Sequence, residues 1–119
     1  MSDSDTAVMK KLPVMPARDH EGYLLDPDDW SEELMLVLAD EQDVELNEEQ
    51  REIVLFVRDY YEQNATVPEV RRVLQYMKRI WGKERATRKY LYNLFPHGFA
   101  QQACKFAGMR VPLKLMLDV

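Results

Sequence analysis

The strongest constraint on the fold is a twelve-residue segment, residues 70–81, in which apolar side chains recur three and four positions apart. That spacing places them on one face of an α-helix. The apolar set is Val70, Val73, Leu74, Met77, Ile80 and Trp81, and the opposite face carries Arg71, Arg72, Gln75, Lys78 and Arg79. A helix of this kind must bury its apolar face against other elements, so the segment predicts a packed helical domain.

Helix-start signals occur at four further places along the chain. Asp26 followed by Pro27 predicts a helix with an aspartate cap and proline at its first position. Asn47 with Gln50 resembles a capping box, Thr66 with Glu69 predicts another, and Thr87 predicts a cap for a shorter helix. In the first of these helices the buried stripe is expected to comprise Trp30, Leu34, Val37 and Leu38.

Glycine and proline mark where the helices end. Gly82 is expected to end the helix over residues 70–81, Pro96 the helix that Thr87 begins, and Gly108 a last helix over roughly residues 98–107. The stretch from Gly22 to Leu25 predicts a short strand or hairpin arm.

These elements predict a mainly α, single-domain helical bundle with a short N-terminal β element and an extended C-terminal arm. With 119 residues, the chain is long enough for one such domain. We expect a flexible N-terminal arm over residues 1–20, the helical domain over 21–110 and the C-terminal arm over 111–119. The first arm contains two prolines and shows no sustained period.

Composition argues against several functional classes. The chain has one cysteine, which cannot form an internal disulfide, and two histidines far apart in sequence. We therefore expect neither a metal nor a cofactor site. The N-terminus lacks the apolar core of a secretory signal, and no apolar run is long enough to span a bilayer. These features favour a cytoplasmic protein that does not insert into membranes.

Charge is divided unevenly along the chain. Residues 1–64 hold 5 Lys/Arg against 18 Asp/Glu, a net charge of −13, whereas residues 65–119 hold 11 against 3, a net charge of +8. The basic half either steers anionic partners or faces the acidic half of its own fold.

The basic residues also permit a helix-turn-helix interpretation. Two helices flank the link that follows Gly82, although this link is longer than the usual three or four residues. The residues predicted to contact an anion or a nucleic acid are Lys83, Arg85, Arg88 and Lys89. The alternative is a solvated basic face that meets an acidic protein partner, which the low overall pI of about 5.0 favours.

Cys104 is the strongest candidate for a reactive side chain. A reactive thiol needs exposure and a nearby cation such as the adjacent Lys105, and His97 offers a thiolate–imidazolium pair if the chain folds back at Gly98. Against this, the small residues around Cys104 predict a buried, inert cysteine. No carboxylate pair, Ser/His/Asp set or phosphate-binding glycine loop occurs, so whether the chain is an enzyme stays open.

Two stretches of the sequence resemble the DsrC/TusE family of sulfur-relay proteins. They are "GYLLDPDDWSEELMLVLADEQDVELNEEQREIVLFVRDYY" and "YLYNLFPHGFAQQACKFAG", and with the order of elements between them the resemblance covers roughly residues 20–112. The second stretch is a long ordered run and therefore more specific than a short motif.

The resemblance implies a mostly helical fold and a role in sulfur transfer. Family members accept sulfur from TusBCD- or DsrEFH-type relay proteins and pass it to tRNA thiolation, or they serve dissimilatory sulfite reductase. Carriage uses a penultimate cysteine on the C-terminal arm, and in the DsrC branch a second cysteine lies eleven residues upstream. By this resemblance Cys104 matches the upstream cysteine and is a possible persulfide carrier.

The chain departs from the family pattern mainly at the arm. Eleven residues after Cys104 stands Leu115 where the carrier cysteine is expected. Phe99 replaces the usual proline, residues 84–87 replace a glycine-containing turn, and Arg110 with Val111 replaces a Pro-Lys pair. These changes predict a docking protein, of regulatory function, whose arm residues Pro112, Leu115, Met116 and Leu117 insert into a partner.

Overall fold

The computed structural model describes residues 15–110, which fold as a helical domain preceded by a hairpin. A 3₁₀ turn, Pro27–Asp29, leads into the helices, and a short π-helical segment closes the domain. The helices are α1 (Glu32–Asp40), α2 (Glu48–Asn64), α3 (Val70–Trp81) and α4 (Arg88–Leu94), and the π-helical segment is Ala100–Cys104. The predicted mainly α class is confirmed.

The N-terminal β element is a tight hairpin around a single antiparallel bridge between Arg18 and Leu24. The backbone N–H of Asp19 donates to Tyr23 O at 2.8 Å, and the Asp19 carboxylate accepts the N–H groups of Glu21 and Tyr23. An aspartate that bonds to backbone two residues ahead stabilises such a turn. The hairpin therefore includes residues 17–19, which the sequence had placed in the arm.

The single helix predicted from Pro27 onward is wrong, because the chain breaks at Trp30. Asp26 caps only the 3₁₀ turn, accepting a bond from Asp28 N at 3.0 Å. Trp30 is extended, with φ −74° and ψ 146°, and Ser31 then caps α1 by accepting the N–H of Leu34. The break turns the Trp30 indole toward the end of the chain, where its Nε1–H donates to Phe106 O at 2.8 Å.

The other helix boundaries test the remaining cap predictions. The Asn47–Gln50 capping box is confirmed by both reciprocal bonds, and Thr87 accepts the N–H of Tyr90. The predicted box at Thr66 is wrong: α3 begins at Val70 behind an extended Glu69 that makes no side-chain cap. Val67 and Pro68 are buried, so packing holds this stretch extended where the helix was expected to begin.

The core lies where α2 crosses the π-helical segment and packs beside α3. Helix α2 contributes Ile53, Val54 and Val57, all fully buried. Its partners are Leu34, Met35 and Leu38 from α1, Val70, Val73 and Met77 from α3, and Ala103, Cys104, Phe106 and Ala107 from the last segment. The buried stripe of α1 thus includes Met35, which was not predicted, whereas Val37, which was predicted to be buried, is only half-buried.

One charged side chain, Arg58 of α2, reaches into this interior. The residue is only 8% exposed, and its guanidinium donates to Pro27 O at 2.9 Å and to Ala107 O at 3.3 Å. The guanidinium lies 4.8 Å from the centre of the Trp30 ring and forms an ion pair with Glu62. Arg58 therefore ties the 3₁₀ turn and the end of the last segment to α2.

Gly108 completes this junction because it leaves room for Trp30. Its φ is +80°, and a Cβ there would lie 2.5 Å from Trp30 Cδ1. Gly82, which ends α3, also has a positive φ of +93°, but a Cβ at that position would meet nothing within 4 Å. The two glycines thus share backbone strain on substitution and differ in steric contact.

We predict that Gly108→Ala destabilises the fold more than Gly82→Ala. Alanine at a positive φ costs about 1–2 kcal/mol at either position. At Gly108 the added methyl must also displace the Trp30 indole from Phe106 O and Arg58, raising the loss to roughly 3 kcal/mol or more. Urea unfolding followed by circular dichroism measures both; equal losses would show that the Trp30 contact is unimportant.

Candidate functional site

Cys104 lies at the end of the π-helical segment with none of its surface exposed. Its backbone N–H donates to Phe99 O at 3.0 Å, the five-residue spacing of a π-helix, and its carbonyl accepts the N–H of Met109. Single π-helical turns occur frequently at functional sites. Here the turn directs the thiol inward among Ala103 and Ala107, both also fully buried.

The hairpin covers the thiol from the other side. Tyr23 is 3% exposed, and its pKa is raised to about 12 by burial and by the neighbouring Cys104. Lys105 points away from the thiol: its Nζ donates to Glu21 O at 2.6 Å and lies 4.9 Å from the centre of the Tyr23 ring. Lys105 therefore holds the hairpin in place beside the segment that carries Cys104.

This environment stabilises the neutral thiol. Burial raises the pKa of Cys104 well above its ordinary value, because the interior disfavours a thiolate. His97 is solvent-exposed, and its backbone N–H points to Gln102 Oε1 at 3.4 Å. With an exposed imidazole and an unexposed thiol, the thiolate–imidazolium pair has no support from the geometry.

A glutamine pair joins the turn after α1 to the thiol-bearing segment, and no sequence pattern predicted it. Gln102 is 2% exposed, and its Nε2 lies 3.5 Å from Gln42 Oε1, while Gln42 Nε2 donates to Gln101 O at 3.0 Å. Among residues 15–110 no buried side-chain nitrogen or oxygen lacks a hydrogen-bond partner. The polar groups around the site are therefore fully used within the fold.

A cleft of about 620 Å³ opens between the hairpin and α1, next to the hydrogen bond from Lys105 to Glu21 O. Leu38 supplies apolar surface, and an ion pair between Arg18 and Glu41 lies at its rim, with Nη1 and Oε1 2.5 Å apart. The remaining lining residues are Met15, Pro16, Asp19, His20, Glu21, Gly22, Gln42 and Lys105. The cleft lies beside the thiol-bearing segment, and no part of Cys104 lines it.

The four residues predicted to contact an anion or a nucleic acid lie on the link after α3 and at the start of α4. Lys83, Arg85, Arg88 and Lys89 are all exposed. Arg85 pairs with Glu49 of α2 at 2.9 Å, and Arg88 Nη1 lies 3.5 Å from the Tyr92 hydroxyl. Arg85 thus neutralises charge within the fold, and the role of the set stays a prediction.

Other predicted features fall outside what the structure describes or have no structural counterpart. The arm residues Pro112, Leu115, Met116 and Leu117 lie beyond the described residues. Within residues 15–110, no three His, Cys, Asp or Glu side chains are placed to hold a metal ion. In the same part of the chain, every helix is too short or too polar to cross a bilayer.

Comparison with known proteins gives one consistent family. The family model described as DsrC like protein matches residues 14–116. A sulfurtransferase TusE of Pectobacterium atrosepticum is 43% identical over 98 residues, which are 82% of this chain and 90% of that protein. Sulfurtransferase TusE of Escherichia coli K12 is also 43% identical, over 81% of this chain and 88% of that protein.

Solved structures agree in fold. The oxidised gamma-subunit of dissimilatory sulfite reductase (DsrC) from Archaeoglobus fulgidus superposes with a TM-score of 0.75 at 32% identity, covering 82% of this chain and 90% of that one. The solution structure of Allochromatium vinosum DsrC gives a TM-score of 0.72 at 43% identity, covering 82% of this chain and 87% of that one. The resemblance noted from the sequence is confirmed.

We predict that Cys104 makes the fold less stable in alkaline solution. Because the folded-state pKa is raised above the ordinary value of 9.0, its contribution is fully present below pH 9 and is lost as the pH rises further. Between pH 9 and 10 the free energy of unfolding should fall by up to about 1 kcal/mol more in the wild type than in Cys104→Ala. Urea unfolding at each pH measures the difference.

The same burial predicts slow reaction of the thiol with a disulfide reagent such as dithionitrobenzoate in native buffer and rapid reaction in urea. Native labelling at the rate of a free cysteine, together with equal pH slopes for wild type and Cys104→Ala, would show that the thiol is accessible.

Proposed function

The chain belongs to the DsrC-like family, and from that membership we propose that it is a docking and regulatory protein of sulfur metabolism that does not itself carry sulfur on its arm. Two observations, taken together, support the proposal. Leu115 stands eleven residues after Cys104, and Cys104, the only cysteine of the sequence, has no exposed surface.

Sulfur carriage requires a thiolate that can reach a persulfide donor. A leucine offers no such group, and the buried thiol of Cys104 is both inaccessible and held neutral. For Cys104 to accept sulfur, the hairpin would have to release Lys105 from Glu21 O and uncover Tyr23. The retained fold supports recognition of partners, which depends on surface shape and charge more than on one thiol.

The partners we propose are those that the family resemblance implies: TusBCD- or DsrEFH-type relay proteins, or dissimilatory sulfite reductase. Relatives are named sulfurtransferase TusE, and a structural neighbour is described as the gamma-subunit of dissimilatory sulfite reductase. The apolar residues of positions 113–117 suit a hydrophobic groove in such a partner. Binding without accepting sulfur would make the chain a competitor or sensor, acting in the cytoplasm.

We predict that the wild-type chain gains no sulfur when incubated with a persulfide-loaded TusD- or DsrE-type donor. Intact-protein mass spectrometry would detect the added mass of one sulfur atom. A chain carrying Leu115→Cys and truncated after Met116 should gain it, because an exposed thiol is then available on the arm. This variant is the positive control that the donor is active and recognises the fold.

The control for the buried thiol is Cys104→Ser. An adduct formed by wild type and absent from Cys104→Ser would overturn the proposal and make Cys104 the carrier. If neither the wild type nor the Leu115→Cys chain binds the donor in a pulldown, the proposed partners are wrong. Retained binding by wild type without sulfur uptake is the expected result.

A further inference from the structure

The outer face of α3 is a second charged surface, separate from the cleft. Helix α3 contains four Lys/Arg and no Asp/Glu along its twelve residues. Arg71, Arg72, Lys78 and Arg79 are all exposed. Arg71 pairs with Glu69, which precedes the helix, whereas Arg72 and Lys78 make no ion pair with any other residue of the 15–110 range. The face therefore retains positive charge that the described fold does not neutralise.

Aromatic side chains adjoin these cations along the junction with α2. The Tyr76 ring stacks on the Phe56 ring, with centroids 4.2 Å apart and planes inclined by 18°. The centroids of the Phe56 and Tyr60 rings are 6.0 Å apart. The Arg79 guanidinium lies 5.5 Å from the centre of the Tyr76 ring. The Tyr76 hydroxyl donates to the Glu52 carboxylate, which fixes the ring in place.

An exposed apolar residue extends the same patch. Ile80 lies one turn after Tyr76 and is 38% exposed, although the sequence had placed it on the buried stripe. Half-buried aromatic rings with an aliphatic neighbour and a rim of arginines match the anatomy of protein interfaces, in which Tyr and Arg supply much of the binding energy. The rings are already ordered by their mutual contacts, so binding would immobilise few additional side chains.

We propose that this face, comprising Arg72, Phe56, Tyr76, Arg79 and Ile80, docks an acidic, partly apolar helix or loop of a partner protein. Carboxylates of the partner would pair with Arg72 and Arg79, and an apolar side chain would contact Tyr76 and Ile80. The proposal rests on the charge and geometry of α3 and does not depend on whether the chain carries sulfur.

The surroundings favour a protein over a nucleic acid. Burial, together with the neighbouring carboxylates of Glu52 and Asp59 on α2, raises the pKa of Tyr76 to about 12. These carboxylates would repel a phosphate backbone that followed the helix, and the chain as a whole carries a net charge of −5. The aromatic rings also stack on each other, which leaves less ring surface for nucleic-acid bases.

The test is a charge reversal matched by a control elsewhere on the same chain. The test variant is Arg72→Glu with Arg79→Glu, and the control is Arg51→Glu with Arg110→Glu, two exposed cations that lie outside α3. Each variant exchanges two cations for two anions, so the formal net charge falls from −5 to −9 in both. Any difference between them therefore reports position and not total charge.

The probe is a fluorescent amphipathic peptide of about 15 residues rich in Glu and Leu, titrated against the full chain. We expect the test variant to weaken binding at least about 10-fold and the control less than about 3-fold, with affinity falling as salt is added. Amide shifts in nitrogen–proton spectra should concentrate at Arg72, Tyr76, Arg79 and Ile80.

Three outcomes would overturn the proposal. Equal weakening in both variants would show that attraction is diffuse, and shifts confined to the cleft or the hairpin would place the site elsewhere. A duplex DNA or a tRNA that binds more tightly than the peptide, and loses affinity through Arg72→Glu with Arg79→Glu, would assign the face to nucleic acid. Because sulfur uptake is not measured, failure here leaves the proposed function to its own test.

Discussion

The structure depends on the hydrogen bonds and aromatic contacts that compensate the buried guanidinium of Arg58. Burying a guanidinium is unfavourable unless its hydrogen bonds are replaced, and leaving one uncompensated typically costs several kcal/mol. Here two carbonyls, the Glu62 carboxylate and the faces of Trp30 and Tyr61 surround it. The carbonyls belong to Pro27 and Ala107, residues 31 and 49 positions away in the chain. One side chain therefore holds together segments that no regular secondary structure connects.

The position of the thiol follows from this junction. Trp30 is held between Arg58 and Phe106 O, and Gly108 allows the chain to turn against the indole, so the π-helical segment is fixed at its C-terminal end. Its other flank is bonded to Gln42 and covered by the hairpin that Lys105 fastens. With both flanks fixed, the side chain of Cys104 has no exposed surface. The burial of the thiol is thus a consequence of the same contacts that stabilise the fold.

The sequence predicted those features whose cause is local. Asn47 with Gln50, Thr87 and Gly82 form caps through residues within four positions, and each is found as predicted. The cap at Ser31 was not predicted, because Asp26 and Pro27 already indicated a helix start. The helix is interrupted at Trp30, whose indole bonds to Phe106 O, a contact too distant in sequence to be predicted. The failed cap at Thr66 has a similar origin, since burial of Val67 and Pro68 overrides it. The burial of Arg58 and Gln102 has no local signal, because it depends on hydrogen-bond partners that lie 31 and 49 positions from Arg58 and 60 positions from Gln102.

The uneven charge along the chain is partly neutralised within the fold and partly left at the surface, and only the surface part can attract a partner. Part of it is internal, because Arg85 and Tyr90 of the basic half both bond to Glu49 of the acidic half. Part of it stays at the surface, because Arg72, Lys78 and Arg79 of α3 form no ion pair within residues 15–110, and Arg79 lies 5.5 Å from the centre of the Tyr76 ring. These exposed cations agree with the proposed role of the chain, because surface charge and ordered aromatic rings are what a docking surface for an acidic partner requires.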